Sequence, residues 1–294
     1  MAETRAPRPV AVLVVVVAIA AAIAWAGSQG GKAVGGVPVF ALAVAIAFVI
    51  QWIVFIPSYV KQTEHFFDLT GSVTYLTTMG LAVALTGRHD VRSLLLLTLV
   101  VVWAGRLGTF LFGRVRRTGA DDRFDEIKPV FWRFFNTWTL QGLWVSVTLA
   151  AALAAVTSTR SVGVDVWAIV GLAVWLVGFG IEVVADRQKN AFRADPANRG
   201  TFISTGVWAW SRHPNYFGEI TLWLGVALIA FPVLRGWQYA TLISPVFVVL
   251  LLTRVSGVPL LEKKADAKWG GRADYQAYKA RTPVLVPRPP RRVG

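Results

Sequence analysis

Residues 166–219 read VWAIVGLAVWLVGFGIEVVADRQKNAFRADPANRGTFISTGVWAWSRHPNYFGE. An apolar run from 166 to 184 is long enough to cross a bilayer core as a helix, which takes about 20 residues. From Glu182 onward it passes into a segment crowded with Asp186, Arg187, Lys189, Asn190, Arg193, Asn198, Arg199, Arg212 and His213, and a second apolar run begins at Pro214. In hydrocarbon only helices and closed barrels satisfy their own backbone groups, and the period-2 alternation of a barrel strand is missing. The stretch therefore reads as helix, polar site, helix.

Outward from it, the same kind of run recurs at 10–26, 37–59, 67–86, 94–113, 131–156, 214–231 and 238–253. The expected fold is an all-α polytopic membrane bundle of seven to eight transmembrane helices. The first run has a basic lead (Arg5, Arg8) and no clear small-residue cleavage site, so it reads as an anchor. Residues 1–60 read as anchoring spans, 61–287 as the bundle with its polar loops, and 288–294 as a basic tail. No G-x-G-x-x-G, G-x-x-x-x-G-K-[ST] or G-x-S-x-G motif is present, which argues against a Rossmann domain, a P-loop or a nucleophile elbow.

The net charge of +14 raises nucleic acid as a partner, but its placement points elsewhere. With the N-terminus inside, the interior connections hold most of the Lys and Arg, and the outer ones hold only Lys32, Arg88, Arg92, Arg160 and Arg235. That is the positive-inside pattern. It predicts a cytoplasmic-membrane protein, with no nucleic-acid partner, whose polar loops face the cytoplasm. The absence of cysteine excludes disulfides and thiol nucleophiles. Three widely separated histidines make no metal site. The oligomeric state is not legible.

Four constellations carry candidate chemistry. Glu64, Asp68 and Ser72 fall four apart, as do Gly71 and Tyr75, so on a helix a carboxylate and a phenol can face one cavity. An acid walled by Phe66 and Phe67 can hold a proton and donate it to a substrate carbonyl, which makes Glu64, Asp68 and Tyr75 the catalytic candidates. Arg106 falls within a span and needs an acid or a bound anion. Arg114 and Arg117 share a face and can fork onto phosphate oxygens. Glu182, Asp186, Asn190 and Arg193 form one helical stripe, where acid and amide groups suit ribose and adenine. Arg193, Arg199 and Arg212 suit phosphates, and Pro214 opens a helix whose N-terminus favours anions. Near the C-terminus, Tyr275 and Tyr278 sit on an amphipathic segment and can cover a ligand.

The run Arg212-His213-Pro214-Asn215-Tyr216-Phe217-Gly218-Glu219, together with Asp186-x-Gln188-Lys189-x-x-Phe192, resembles the membrane-embedded steroid 5-alpha-reductase-like superfamily, in particular its bacterial branch. The resemblance covers roughly Gln62 to Pro287. It also takes in Asp68, Arg106, Arg114, Arg117, Glu182, Asn198, Gly206, Trp208, Glu262, Tyr275 and Thr282-Pro283. It implies an NADPH-dependent reductase of an enone C=C bond acting on a hydrophobic steroid or sterol-like lipid. The implied cofactor set is Arg106, Arg114, Arg117, Asp186, Lys189, Asn190, Arg193, Asn198, Arg212, His213, Asn215, Tyr216, Glu219, Glu262 and Tyr275. One departure stands out: where steroid enzymes carry a catalytic tyrosine, the span near Arg106 has Trp103. An alternative is an S-adenosylmethionine-dependent membrane methyltransferase of the isoprenylcysteine carboxyl methyltransferase type, which shares Arg-His-Pro-x-Tyr. Those proteins typically carry Glu-Glu where this chain has Glu262-Lys263. Non-catalytic sterol binding is a third reading.

Overall fold

A computed structural model describes residues 9–118 and 124–290, although the side chains of 110–112 and 114–118 are outside the description. Among the described residues, eight segments are long and apolar enough to cross a membrane, as an integral membrane protein requires. The described chain is helical, apart from a two-stranded antiparallel ribbon, β1 (Ala33–Val34) with β2 (Val37–Pro38). It divides into two compact units: residues 1–168 with 229–244, and residues 169–228 with 245–294. One boundary between the units falls within the helix Val166–Ala194.

The first unit holds α1 (Pro9–Ser28), α2 (Val39–Val60), α3 (Phe67–Thr86), α4 (Val91–Thr118) and α5 (Phe131–Thr157). Helix α5 is its axis, with 83% of its apolar window buried and α1, α2 and α3 packed on it. Ala150, Ala151, Ala152, Ala154 and Ala155 are all enclosed. Small side chains of this kind let membrane helices approach closely where no hydrophobic drive separates lipid from protein. Hydroxyls are silenced locally: Thr70, Thr74 and Thr78 each donate to the carbonyl four residues back at 2.6–2.7 Å. Between helices, Gln51 donates to Thr74 (2.8 Å) and Trp52 to Thr139 (3.1 Å).

At one end of this unit Arg92 works as a buried clamp. Its guanidinium donates to the carbonyls of Val162 (3.1 Å), Gly163 (2.6 Å) and Ile229, and pairs with Asp165 at 2.8 Å. Arg88 does the same for Ser158 and Arg160. A planar five-donor fork can satisfy several loop carbonyls at once, which an ammonium cannot.

The second unit contains most of α6 (Val166–Ala194), most of α7 (Pro214–Ala230), the end of α8 (Ile243–Leu250), a π-helical turn at Leu251–Val255, α9 (Val258–Trp269) and α10 (Ala273–Arg281). Helices α6 and α7 cross at Gly178 and Gly218. A Cβ on Gly178 would lie 2.6 Å from the Gly218 carbonyl oxygen, so only glycine permits the contact. The C-terminal region expected as one amphipathic helix is two, α9 and α10, broken at Gly270–Arg272.

Removing the fork with Arg92→Ala leaves buried carbonyls and Asp165 without their donor. It is expected to cost about 3–5 kcal/mol, read as a lower unfolding midpoint in detergent, and Arg92→Lys should recover only part of it. Burial raises the Asp165 carboxyl most, but the hydrogen bond and charge of Arg92 together with backbone N–H donors from Ala168 and Trp167 outweigh it, and the group sits below its ordinary value of 3.8. The sign follows: the stability from this pair is complete above that ordinary value and is lost as pH falls through the depressed one. Asp165→Asn is expected to remove this part of the acid sensitivity in a pH series of melts.

Candidate functional site

A cavity of about 290 Å³ opens in the second unit. Its walls come from the end of α6, residues 201–213, α9 and α10, and each contributes for a local reason. The polar stripe expected on α6 is helical throughout, because the helix runs on to Ala194, and it presents Lys189, Phe192 and Arg193 to the cavity. The chain then turns through a 3-10 segment at Pro196–Asn198, where Asp195 caps Ala197 N–H at 2.9 Å. A second 3-10 turn, Gly206–Ala209, is fixed by Gln188, whose side-chain oxygen accepts from Val207 N–H at 3.0 Å. Gly206 has φ +60°, and a Cβ there would collide with the Gln188 amide. Trp208, held by its indole N–H to the Ala185 carbonyl (3.0 Å), thereby becomes a buried wall of the cavity.

The floor is a charge cluster. Glu262 on α9 takes the Arg212 guanidinium at 2.8 Å on one oxygen and His213 Nε2 at 2.9 Å on the other, with Lys279 Nζ 3.8 Å away. His213 stacks on Tyr216 at 5.6 Å with planes 10° apart. Arg212 Nε is buried and has no hydrogen-bond partner among the described residues. Around this floor lie Lys189, Arg193, Lys264 and Lys268 as cations and Phe202, Trp208, Trp269, Tyr275 and Tyr278 as rings. Lys189 lies 4.7 Å over Trp208 and Lys268 lies 4.9 Å over Trp269. Such pairs orient an ammonium without cancelling its charge. Among the described residues Glu262 is the one carboxylate in the cavity wall, and Arg212 and His213 already occupy it. The surplus is cationic, and the walls are aromatic.

The tyrosines stay phenols. Burial, then the carboxylates of Asp266 and Glu262, push Tyr275 up to about 12. Burial raises Tyr278 as well, and its hydroxyl donates to the Trp208 carbonyl at 2.8 Å.

Of the residues expected from sequence, Lys189, Arg193, Arg212, His213, Glu262 and Tyr275 line this cavity. Asp186 is buried on α6, and Asn190 is exposed on the same helix. Asn198 is a turn residue whose amide donates to the Phe192 carbonyl at 3.0 Å. Asn215, Tyr216 and Glu219 lie in the first turns of α7, and Tyr216 is the ring under His213. Arg106 is half-buried on α4 in the first unit, and the side chains of Arg114 and Arg117 lie outside the described residues. Lys264 and Lys268 were not anticipated. Their spacing of four on α9 was the available signal, masked by the charged run around them.

The three acid candidates lie in the first unit. Glu64 precedes α3 instead of lying on it, so its expected helical register with Asp68 and Ser72 does not exist. Glu64 is buried against Lys128 at 2.6 Å. Burial lowers the Lys128 amine, but Glu64 and Asp125 more than offset this and hold it above its ordinary value. The ion pair with Lys128 already engages the Glu64 carboxylate. Asp68 is half-buried in the first turn of α3. Tyr75 is buried edge-on to Trp103 at 5.1 Å and 87°.

Glu262→Ala is expected to lower the unfolding free energy by about 1.5–3 kcal/mol, measured by denaturation in detergent at neutral pH. It leaves Arg212, His213 and Lys279 facing one another without their common anion.

No curated protein matches the chain. One family model does, over residues 54–282, a range that takes in the acid candidates, the α6 stripe and every residue lining the cavity. With that match spanning most of its length, the chain belongs to the family described as "Protein of unknown function (DUF1295)".

Proposed function

We propose that this protein is a membrane-embedded, NADPH-dependent reductase that saturates the C=C bond of an α,β-unsaturated ketone in a steroid or sterol-like lipid. The observation that carries the reading is the cavity: four cations besides Arg212, one already-neutralised carboxylate and six aromatic rings. Phosphates and a flat heterocycle suit those walls. S-adenosylmethionine carries a sulfonium and no phosphate, so the cationic surplus weighs against the methyltransferase reading. The resemblance around Arg212–Glu219 and Asp186–Phe192 supports the same choice.

The residues present fit the cofactor. Arg212 keeps Nε unpartnered in a buried position while Glu262 fixes the other end of its guanidinium. Arg193 and Lys189 reach the cavity from one helix, and Lys264 and Lys268 reach it from another. These groups would hold phosphate oxygens by charge-assisted hydrogen bonds, with Trp208 or Trp269 against the adenine. NADPH, when bound, supplies a hydride to the β-carbon of the enone; the redox chemistry is its own.

The chain's part is to polarise the substrate carbonyl and stabilise the negative charge that develops on its oxygen. A proton then reaches the α-carbon, which completes addition of two hydrogens across the double bond. Asp68 is the favoured donor to that oxygen, with Tyr75 next, since Lys128 already engages Glu64. In the orientation implied by the basic connections, the polar segments face the cytoplasm of a bacterial inner membrane, where reduced cofactor is available.

Two outcomes test the assignment. Arg193→Ala and Arg212→Ala are each expected to weaken NADPH binding by roughly 10- to 100-fold, the loss of one charge-assisted contact, with the protein still folded. Asp68→Asn is expected to lower kcat and kcat/KM together in a 3-oxo-Δ4-steroid reduction assay while NADPH affinity holds. Unchanged turnover per folded molecule would return Asp68 to a helix-start role.

A further inference from the structure

Residues 208–213 carry Trp208, Arg212 and His213 into the cavity, and four of them, 210–213, lie between a 3-10 turn and α7. Their backbone groups need partners from elsewhere. Those partners come from the C-terminal segment. Tyr278 donates to the Trp208 carbonyl at 2.8 Å, and Arg288 N–H donates to the Trp210 carbonyl at 2.9 Å. Arg212 N–H donates to the Pro283 carbonyl at 2.9 Å. Ser211, fully buried, donates through its hydroxyl to the Leu285 carbonyl at 2.8 Å, and the same oxygen accepts from His213 N–H at 3.1 Å. All but the Trp208 contact sit within two residues of Arg212.

We propose that residues 283–288 form a strap that positions Arg212 and His213 for the ligand, with Ser211 as the positioning residue through which the strap acts. This rests on the reading of the cavity as a cofactor site. The family match ends at residue 282, so the strap lies wholly beyond it. Pro283, Pro287 and Pro289 bias this segment toward an extended backbone and restrict the residues before them. The strap is thereby stiff before any ligand arrives. It holds the guanidinium beside Glu262, where otherwise the irregular stretch 210–213 would have to be ordered by the ligand itself, at a cost in affinity.

The test is NADPH titration of detergent-purified full-length protein, with the thermal midpoint recorded for each variant. Ser211→Ala removes both the donor to Leu285 and the acceptor of His213 N–H. It is expected to raise the NADPH Kd about three- to tenfold, with Ser211→Thr, which keeps the hydroxyl, close to wild type. Relative to Arg288→Ala, which shares its loss of the guanidinium, Arg288→Pro removes the N–H donor in a proline-rich stretch. It is expected to weaken binding severalfold more than Arg288→Ala, which keeps the N–H. Wild-type affinity in both Ser211→Ala and Arg288→Pro overturns the strap, as does an equal loss in Arg288→Pro and Arg288→Ala. Wild-type protein that binds no NADPH at all overturns instead the cofactor reading beneath it.

Discussion

In hydrocarbon a polar group without a partner has no water to fall back on, and this constraint accounts for most of what the molecule does with its polar residues. The threonines of α3 turn back onto their own helix. Gln51 and Trp52 spend their donors on hydroxyls of neighbouring helices. Arg92 is tolerated in a buried position because its fork meets three carbonyls and a carboxylate. Against that background, a cavity lined by more cations than carboxylates, with Arg212 Nε buried in its floor, is the place where polar groups gather beyond what packing asks for.

The cavity depends on Glu262. One carboxylate joins α9 to the start of α7 through Arg212 and His213, and it lowers the repulsion among three basic groups that a ligand anion would also lower. Its cost is that the ligand must share Arg212 with it. Surrounding rings offset the cost by orienting lysine ammoniums without quenching them. A site of this design favours a ligand that brings several negative charges and a flat ring.

Much of the architecture was legible because membrane helices write their length into composition. All eight runs correspond to helices, and Pro214 opens α7 as its missing N–H allows. The α6 stripe was legible because a helix continues a 3.6-residue period past the apolar run into Asn190 and Arg193. Pairings between distant segments were not. Nothing local says that Lys128 reaches Glu64, that Ser211 reaches Leu285, or that α3 begins at Phe67 and so leaves Glu64 outside its register. The division within α6 was hidden for the same reason, since an unbroken helix can serve two packing units without a change in sequence character. The four-residue spacing of Lys264 and Lys268 was masked because a lysine in a charged helix looks like solvated surface until Trp269 and the cavity are seen beside it.

The central claim is that the cavity takes a phosphorylated nicotinamide cofactor. It is tested most directly by titrating detergent-purified protein in parallel with NADPH and with S-adenosylmethionine, reading tryptophan fluorescence or heat. The account predicts saturable NADPH binding that weakens as salt is raised, since the contacts are ionic, and no binding of the methyl donor. Saturable S-adenosylmethionine binding with none for NADPH would contradict it.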